Sequence, residues 1–460
     1  MKVSCISTNE ISGGSRLDSS FYLSDGKLAM HLVDECLKKG MAAYSLADKD
    51  LVDIWQPNRN TLLIATETEK SVKYLQPYDI LEYLPEARFE ISINSKNLDS
   101  LKIHSGTILQ TCSGRNLGPL VIADPYLEQF VFGSDLIRID ISDIKARYYI
   151  FAFLNTWIGQ ALLHSNKTGS VIDHLSAKDI ECISIPIFDS EIVDSVVEKT
   201  KKAHELFSQA RSELYNYRTQ YYNKVGVILP NNKLCTGWQI SLGTLMTKRR
   251  IDAAYYDPTV ENVANQLKSN GGVLLKTVAK VEKPSGRSKT NYVDKEHGVP
   301  YLSGRQLLQN HTVGLKYIPR NQMGSFENHV LRKGTIAYPA DGRVEGRLGT
   351  PMMITKSRAG WCASGHVGRI EALEGINPGY LYLALSHPAV RAQISALACG
   401  SVVDAVYPED VEQIIIPPQD DFPYDKVMEA WNKFDDAQKF QQEACNLLIE
   451  QFENHNTHLK

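Results

Sequence analysis

The string Gly169-Ser170-Val171-Ile172-Asp173 recurs 231 residues later as Gly400-Ser401-Val402-Val403-Asp404, and this recurrence decides the fold. It stays in register through Asp179-Ile180-Glu181 and Asp410-Val411-Glu412 to Ile185-Pro186 and Ile416-Pro417. Toward the start of each copy, Gly106-Thr107-Ile108 matches Gly334-Thr335-Ile336, and Gly114-Arg115 matches Gly342-Arg343, both at an offset of 228. Val72-Lys73-Tyr74-Leu75 matches Val299-Pro300-Tyr301-Leu302 at 227. Arg16-Leu17-Asp18-Ser19-Ser20-Phe21-Tyr22 matches Arg250-Ile251-Asp252-Ala253-Ala254-Tyr255-Tyr256 at 234. Ordered blocks whose offsets drift only from 227 to 234 mark a tandem duplication. The 460 residues are two copies of a module of about 230, each long enough to bury its own core.

Each copy reads as a mixed α+β domain closed by a long helix. Short strands are predicted at residues 61–65, 106–109, 136–141 and 182–187, with second-copy partners at 334–337, 366–372 and 413–416. An amphipathic helix is predicted over 146–163 and again over 378–396. After Ile185-Pro186-Ile187-Phe188 the period changes. Val196, Ala203, Phe207, Ala210, Leu214, Tyr217 and Tyr221 step by 7, 4, 3, 4, 3 and 4, the seam of a coiled coil. Val427, Trp431, Phe434, Gln438, Gln441, Cys445, Leu448 and Phe452 continue the same rhythm in copy two, with the two glutamines expected to set register. The matched heptads predict that the two helices, each about 50 Å long at ~1.5 Å per residue, pair antiparallel. Such pairing would set the two domains at opposite ends. The chain divides into α+β domains at 1–188 and 227–420 and helices at 189–226 and 421–460. The helix interface falls to Val196, Phe207, Leu214, Tyr217, Tyr221, Trp431, Phe434, Leu448 and Phe452.

Composition narrows function by exclusion. With 43% hydrophobic and 22% charged residues the chain is of the soluble globular class, not collagen-like or disordered. No run approaches the ~20 apolar residues of a membrane helix, and Met1-Lys2-Val3-Ser4-Cys5 lacks the apolar stretch of a leader. The eight cysteines are scattered without paired ligand spacing, so neither a zinc site nor a disulfide framework is expected. Phosphate loops, nucleophile elbows and the Asn/Asp-Pro-Pro-Tyr motif of an aminomethyltransferase are missing. Asp124-Pro125-Tyr126 reads as a turn, and Glu67, Glu69 and Lys70 as a solvated loop. No catalytic residue and no metal ligand is assigned.

Polar loop chemistry remains. Lys283-Pro284-Ser285-Gly286-Arg287-Ser288-Lys289-Thr290-Asn291 is basic and rich in groups that contact phosphates and base edges; Gln56-Pro57-Asn58-Arg59-Asn60 is its counterpart. Gly342-Arg343-Val344-Glu345-Gly346-Arg347 pairs in the same way with Gly114-Arg115-Asn116-Leu117-Gly118, where glycine lets backbone approach a duplex. The candidate DNA-contacting residues are Arg59, Asn60, Arg115, Asn116, Lys283, Arg287, Lys289, Arg305, Arg343 and Arg347. A net charge of −3 offers no general attraction to DNA, so contact would be local.

Taken in order, the Arg-Leu/Ile-Asp openings, the Val-Pro-Tyr-Leu strand, the Gly-Thr-Ile strands with their Gly-Arg turns and the Ile415-Ile416-Pro417-Pro418 lead into the last helix resemble the specificity subunit of type I restriction-modification systems. The resemblance spans nearly the whole chain. It departs at the helix bases, where Gln419-Asp420-Asp421-Phe422 and Asp189-Ser190-Glu191 replace the family's Pro-Leu-x-Glu-Gln. The resemblance implies a non-catalytic, cytoplasmic subunit of a phage-defence complex. Each target-recognition domain would read one half of a bipartite, asymmetric double-stranded DNA site. The helices would act as a ruler and dock two methyltransferase subunits, with restriction-translocase subunits able to join. S-adenosylmethionine and ATP would belong to those partners, not to this chain. Two other readings stand beside it: a diverged methyltransferase or nuclease, and a stand-alone two-domain DNA-binding regulator.

Overall fold

The computed structural model describes residues 24–455 except 60, 67–68, 115–116, 166–172, 230–236, 249, 285–290, 323–325 and 401. In chain order the first copy runs α1 (Asp25–Lys38), β1 (Ala43–Ser45), β2 (Val52–Trp55), β3 (Ser71–Leu75), β4 (Phe89–Ser92), β5 (Ile108–Thr111), β6 (Ser113–Gly114), β7 (Val121–Ile122), β8 (Val131–Phe132), β9 (Leu136–Ile141), α2 (Ile144–Asn155), α3 (Trp157–Ser165), β10 (Asp173–His174), α4 (Ala177–Glu181) and β11 (Ser184–Pro186). The long helix α5 (Ser190–Val225) follows. The second copy runs α6 (Leu242–Lys248), α7 (Pro258–Ser269), β12 (Val273–Leu274), β13 (Ala279–Glu282), β14 (Val299–Leu302), α8 (Gly304–Leu307), β15 (Lys316–Ile318), β16 (Ile336–Pro339), β17 (Asp341–Gly342), β18 (Met352–Met353), β19 (Cys362–Ala363), β20 (Val367–Ala372), α9 (Pro378–Ser386), α10 (Pro388–Leu397), β21 (Asp404–Ala405), α11 (Pro408–Val411) and β22 (Ile415–Ile416). The second long helix, α12 (Tyr424–His455), closes the chain.

Two compact units result: residues 1–208 with 436–460, and residues 209–435. Each contains one copy and a stretch of both long helices.

The duplication is complete at the level of strand pairing. The first unit has a four-stranded sheet β2-β9-β5-β7, a three-stranded sheet β4-β3-β8, and the ladders β1–β11 and β6–β10. The second has β13-β20-β16-β18, β15-β14-β19, β12–β22 and β17–β21, in the same order. Register is kept as well: Ile108 faces Ile139 as Ile336 faces Ile370, both antiparallel. The parallel pair Tyr74↔Val131 likewise recurs as Tyr301↔Cys362. Among the described residues, eleven strands pair in the same order in each copy, as one buried pattern written twice must give.

Local chemistry explains the elements. Ser24 caps α1 by accepting from the Lys27 amide, and Asp257 caps α7 through the Thr259 amide with Pro258 at the first position. In β2, Val52 and Ile54 point into the core while Asp53 faces out. The helix expected over 146–163 is two helices, α2 and α3, broken at Thr156, and its counterpart breaks at His387 into α9 and α10. Both residues take extended backbone. The Thr156 hydroxyl caps the Gly159 amide and His387 Nδ1 caps the Ala389 amide, while Pro388 has no N–H with which to continue a helix. Residues 61–65 form no strand; only Ile64 makes an isolated bridge, to Ile91.

Buried arginines mark the repeat in the core. Arg138 of β9 donates to the carbonyls of Leu136, Leu101 and Phe132, and Arg369 of β20 donates to Val330. Both are buried, and burial pushes the Arg138 guanidinium down to about 10. A planar fork of five donors, against the three of a lysine, lets Arg138 reach carbonyls on three separate segments. Tyr149 donates to the Pro186 carbonyl at 2.9 Å, and Tyr380 to Pro417 at 2.6 Å, tying each copy's α2/α9 position to its exit strand.

Within each unit the helical seams pair antiparallel. In the first, Phe188 stacks edge-on to Phe452 at 5.1 Å, while further along Lys199 Nζ meets Glu443 Oε2 at 2.6 Å. In the second, Glu213 pairs with Lys433, and Tyr221 lies 5.5 Å from Phe422 and 6.3 Å from Tyr424. Val196, Leu214, Tyr221, Trp431, Phe434, Leu448 and Phe452 are buried; Phe207 and Tyr217 are half-buried. Ala437 and Ala444 take buried places beside the two glutamines. Gln438 donates to the Tyr83 hydroxyl in the globular part, and Gln441 to Cys445 one turn along its own helix.

Candidate nucleic-acid interface

In each unit the strand ends that lead into the predicted loops lie where β2/β13, β5/β16 and β9/β20 meet the small ladder β6–β10 or β17–β21. In the second unit, the ladder puts Asp341 opposite Ala405 and Gly342 opposite Asp404. Asp341 is the hub. Its Oδ1 accepts from Lys283 Nζ at 2.6 Å, and its Oδ2 accepts from His366 Nδ1. Lys283 and Asp341 are each only 15% exposed, whereas the His366 side chain is 67% exposed. Lys283 Nζ also sits 5.7 Å from the Tyr407 ring centroid. Lys283, a candidate DNA contact by sequence, is in this structure the largely buried counter-ion of Asp341.

Arg343 follows the ladder and is exposed, on a loop pinned by the Val344 amide to Asp404 Oδ2 at 3.2 Å and by a turn from Gly346 to the Arg343 carbonyl. Arg347 is half-buried in the same loop, and Arg305 is exposed on α8. Gly304, the first residue of α8, lies against Pro339 at the end of β16 and near the His366 carbonyl. Arg305, Arg343 and the Lys283–Asp341–His366 trio therefore share one end of the four-stranded sheet.

In the first unit, Arg59 Nη2 meets Asp135 Oδ1 at 2.6 Å, and this bond and charge hold its guanidinium above its ordinary value. The pair is exposed, so it contributes little to stability and can be exchanged for a ligand contact. Gln56 Nε2 donates to the Ser134 carbonyl at 2.9 Å, and Ser113 Oγ lies 3.0 Å from His174 Nδ1. Gly114 was read as room for a duplex. Its φ is 147°, and a Cβ there would stand 1.9 Å from the Tyr78 hydroxyl, so the glycine makes room for Tyr78. Gly342, its counterpart, has open space around it. Asn60, Arg115, Asn116, Arg287 and Lys289 lie outside the described residues.

Sequence reading missed Asp135, Asp341 and His366. The only signal was positional: His366 stands 231 residues after Asp135, the offset of the adjacent β9 and β20. The Arg250 motif proves to be a clasp. Arg250 pairs with Asp252 at 2.7 Å and donates to the carbonyls of Leu397 and Ala398, which end α10 without helical partners. Its guanidinium packs 4.3 Å from the Tyr255 ring centroid. The first-copy motif at 16–22 lies outside the described residues.

Among the described residues no group of three or more His, Cys, Asp or Glu is placed to hold a metal ion, and no helix is long and apolar enough to cross a membrane. Two equivalent α+β units, each carrying polar loops at one sheet end and a pair of antiparallel helical segments, define a duplicated scaffold. No protein-family model matches the sequence, and no curated protein matches it. Among solved structures, the chain is similar to the S subunit of a type I restriction-modification system from M. genitalium, at 12% identity and a TM-score of 0.30 over 90% of this chain and 94% of that one. It is similar to the HsdS subunit from Thermoanaerobacter tengcongensis at 14% identity and a TM-score of 0.25, over 90% and 93% of the two chains. A type IIG restriction endonuclease, BpuSI, aligns at 12% identity and a TM-score of 0.28 with 40% of this chain and 28% of its own. At TM-scores this low the likenesses carry no argument about function.

Proposed function

We propose that this chain is the DNA-specificity subunit of a type I restriction-modification or related defence complex. It would work in the cytoplasm, reading a bipartite site with one unit per half and leaving chemistry to its partners. The observation that carries the reading is the combination of identical strand pairing with divergent loop ends. Asp135 stands in one copy where His366 stands in the other, and Gln56 stands where Lys283 does. A scaffold kept while its tips diverge suits two readers of different sequences. Phosphate attraction would come largely from partner subunits, because the net charge here is −3.

The 36-residue α5 and 32-residue α12 would serve as ruler and as docking surface for two methyltransferase subunits, with translocase subunits joining later. Helices of ~50 Å match about 15 base pairs at ~3.4 Å each, so half-site centres would lie roughly one to one-and-a-half turns apart. S-adenosylmethionine and ATP would be bound by those partners. The test is sequencing of DNA methylation in the host with and without this gene. Loss of an asymmetric motif with an unread spacer is the expected result. A continuous or palindromic motif, or methylation or cleavage by the purified chain alone, would overturn the reading.

A further inference from the structure

We propose that His366 is a base-reading residue of the second unit, presenting Nε2 to an exocyclic amino group in the major groove, with Asp341 and Lys283 as its positioning residues; this rests on the DNA-recognition reading above. The chemistry follows from the hydrogen bonds. A carboxylate only accepts, so the bond between Asp341 Oδ2 and His366 Nδ1 requires the proton on Nδ1. A ring bearing that single proton carries its lone pair on Nε2, the far edge of a side chain that is 67% exposed. Cytosine N4 and adenine N6 are the amino groups of the major groove, and an acceptor is what either one needs.

The imidazole is also preorganised. Its backbone amide donates to Ser364 Oγ at 3.4 Å and its carbonyl accepts from the Ala340 amide at 2.9 Å, between β19 and β20. Asp341 is held in turn by Lys283 and by the β17–β21 ladder. A side chain fixed at both ends loses little freedom on binding. The first copy repeats the device with another group: at the equivalent station Asp135, also an acceptor, is held by Arg59. Both units thus place an anchored acceptor at the same end of the same sheet. The surrounding side chains differ, as readers of different half-sites require.

The experiment is selection from a randomised duplex library by the full chain, wild type against His366→Ala and His366→Gln, with thermal melts of all three. The wild type should enrich a bipartite motif. His366→Ala should melt like the wild type, lose its preference at one base pair of one half-site, and bind the wild-type consensus about tenfold more weakly, the typical cost of one lost base contact. His366→Gln, which keeps an acceptor and adds a donor, should retain binding with the preference altered at that same base pair. If His366→Ala enriches the wild-type motif unchanged, or loses preference across the whole half-site, the assignment of His366 fails while DNA recognition stands. A wild-type chain that enriches no motif, both alone and together with the host proteins that co-purify with it, overturns the DNA-recognition reading itself.

Discussion

Replacing Phe452 by alanine should unfold the first unit selectively, although Phe452 lies at the far end of the chain from most of that unit's sequence. Phe452 is 1% exposed and sits in one core with Phe153, Phe188, Val196 and Leu448. Its ring is 5.8 Å from Phe153 and 5.1 Å from Phe188. Removing a buried phenylalanine costs about 3–5 kcal/mol, from lost transfer energy and the cavity left behind. The edge-on ring pair places the cost at about 4 kcal/mol, toward the middle of that range. For a unit of this size, ~2–4 °C per kcal/mol puts the drop in its melting temperature at about 8–16 °C. Hydrogen exchange locates the effect: peptides from β9, α2 and α3 should lose protection while those from β16, β20 and α9 keep theirs. Phe452→Leu should recover most of the loss. If Phe452→Ala leaves the β9–α3 region as protected as before, the claim that α12 completes the first core is wrong.

The Lys199–Glu443 pair, partly exposed, should show a small favourable coupling in a urea double-mutant cycle; the double charge reversal should restore most of what Lys199→Glu loses, and strict additivity would argue against this antiparallel register. His387, 2% exposed, is held neutral by burial with its value pushed down to about 4. The unfolded chain takes up this proton below ~6.5 while the fold refuses it until about 4, so stability should fall by up to about 3 kcal/mol between those values and stay constant from this cause above ~6.5. His387→Asn, which keeps a cap for the Ala389 amide, should flatten that acid limb in melts followed against pH. Tyr149→Phe and Tyr380→Phe should each cost about 1–3 kcal/mol by leaving the Pro186 or Pro417 carbonyl unpaired, and equal costs in both units would confirm the shared bond. Arg59→Ala should leave stability nearly unchanged. If Arg59 holds phosphate, the salt slope of DNA binding should fall by about one for every sequence tested.

Much of this architecture was legible in the order of residues. The repeat is visible because burial imposes the same apolar pattern on both copies, and pattern is a local property of sequence. The coiled-coil seam was legible for the same reason: Val196, Leu214, Tyr221, Phe434, Leu448 and Phe452 recur at the helix period and are buried. Where one capping residue competes with a run of helix formers, pattern was insufficient; Thr156 and His387 break helices that periodicity alone continues. The recognition loops were legible only as places. Arg59 and Lys283 look alike as basic loop residues, yet one is exposed against Asp135 and the other is sequestered by Asp341, 58 residues along the chain. Such pairings depend on strand register and loop path, which bring together groups with no sequence relation. The same holds for Gly114, whose open appearance in sequence is filled by Tyr78. The assignment of residues 436–460 to the first unit is likewise a tertiary decision, because any apolar helix face can pack on several cores and only complementary shape selects one. Sequence alone thus determined the repeated fold and its paired helices, and three-dimensional packing decided which side chains at the sheet ends are exposed.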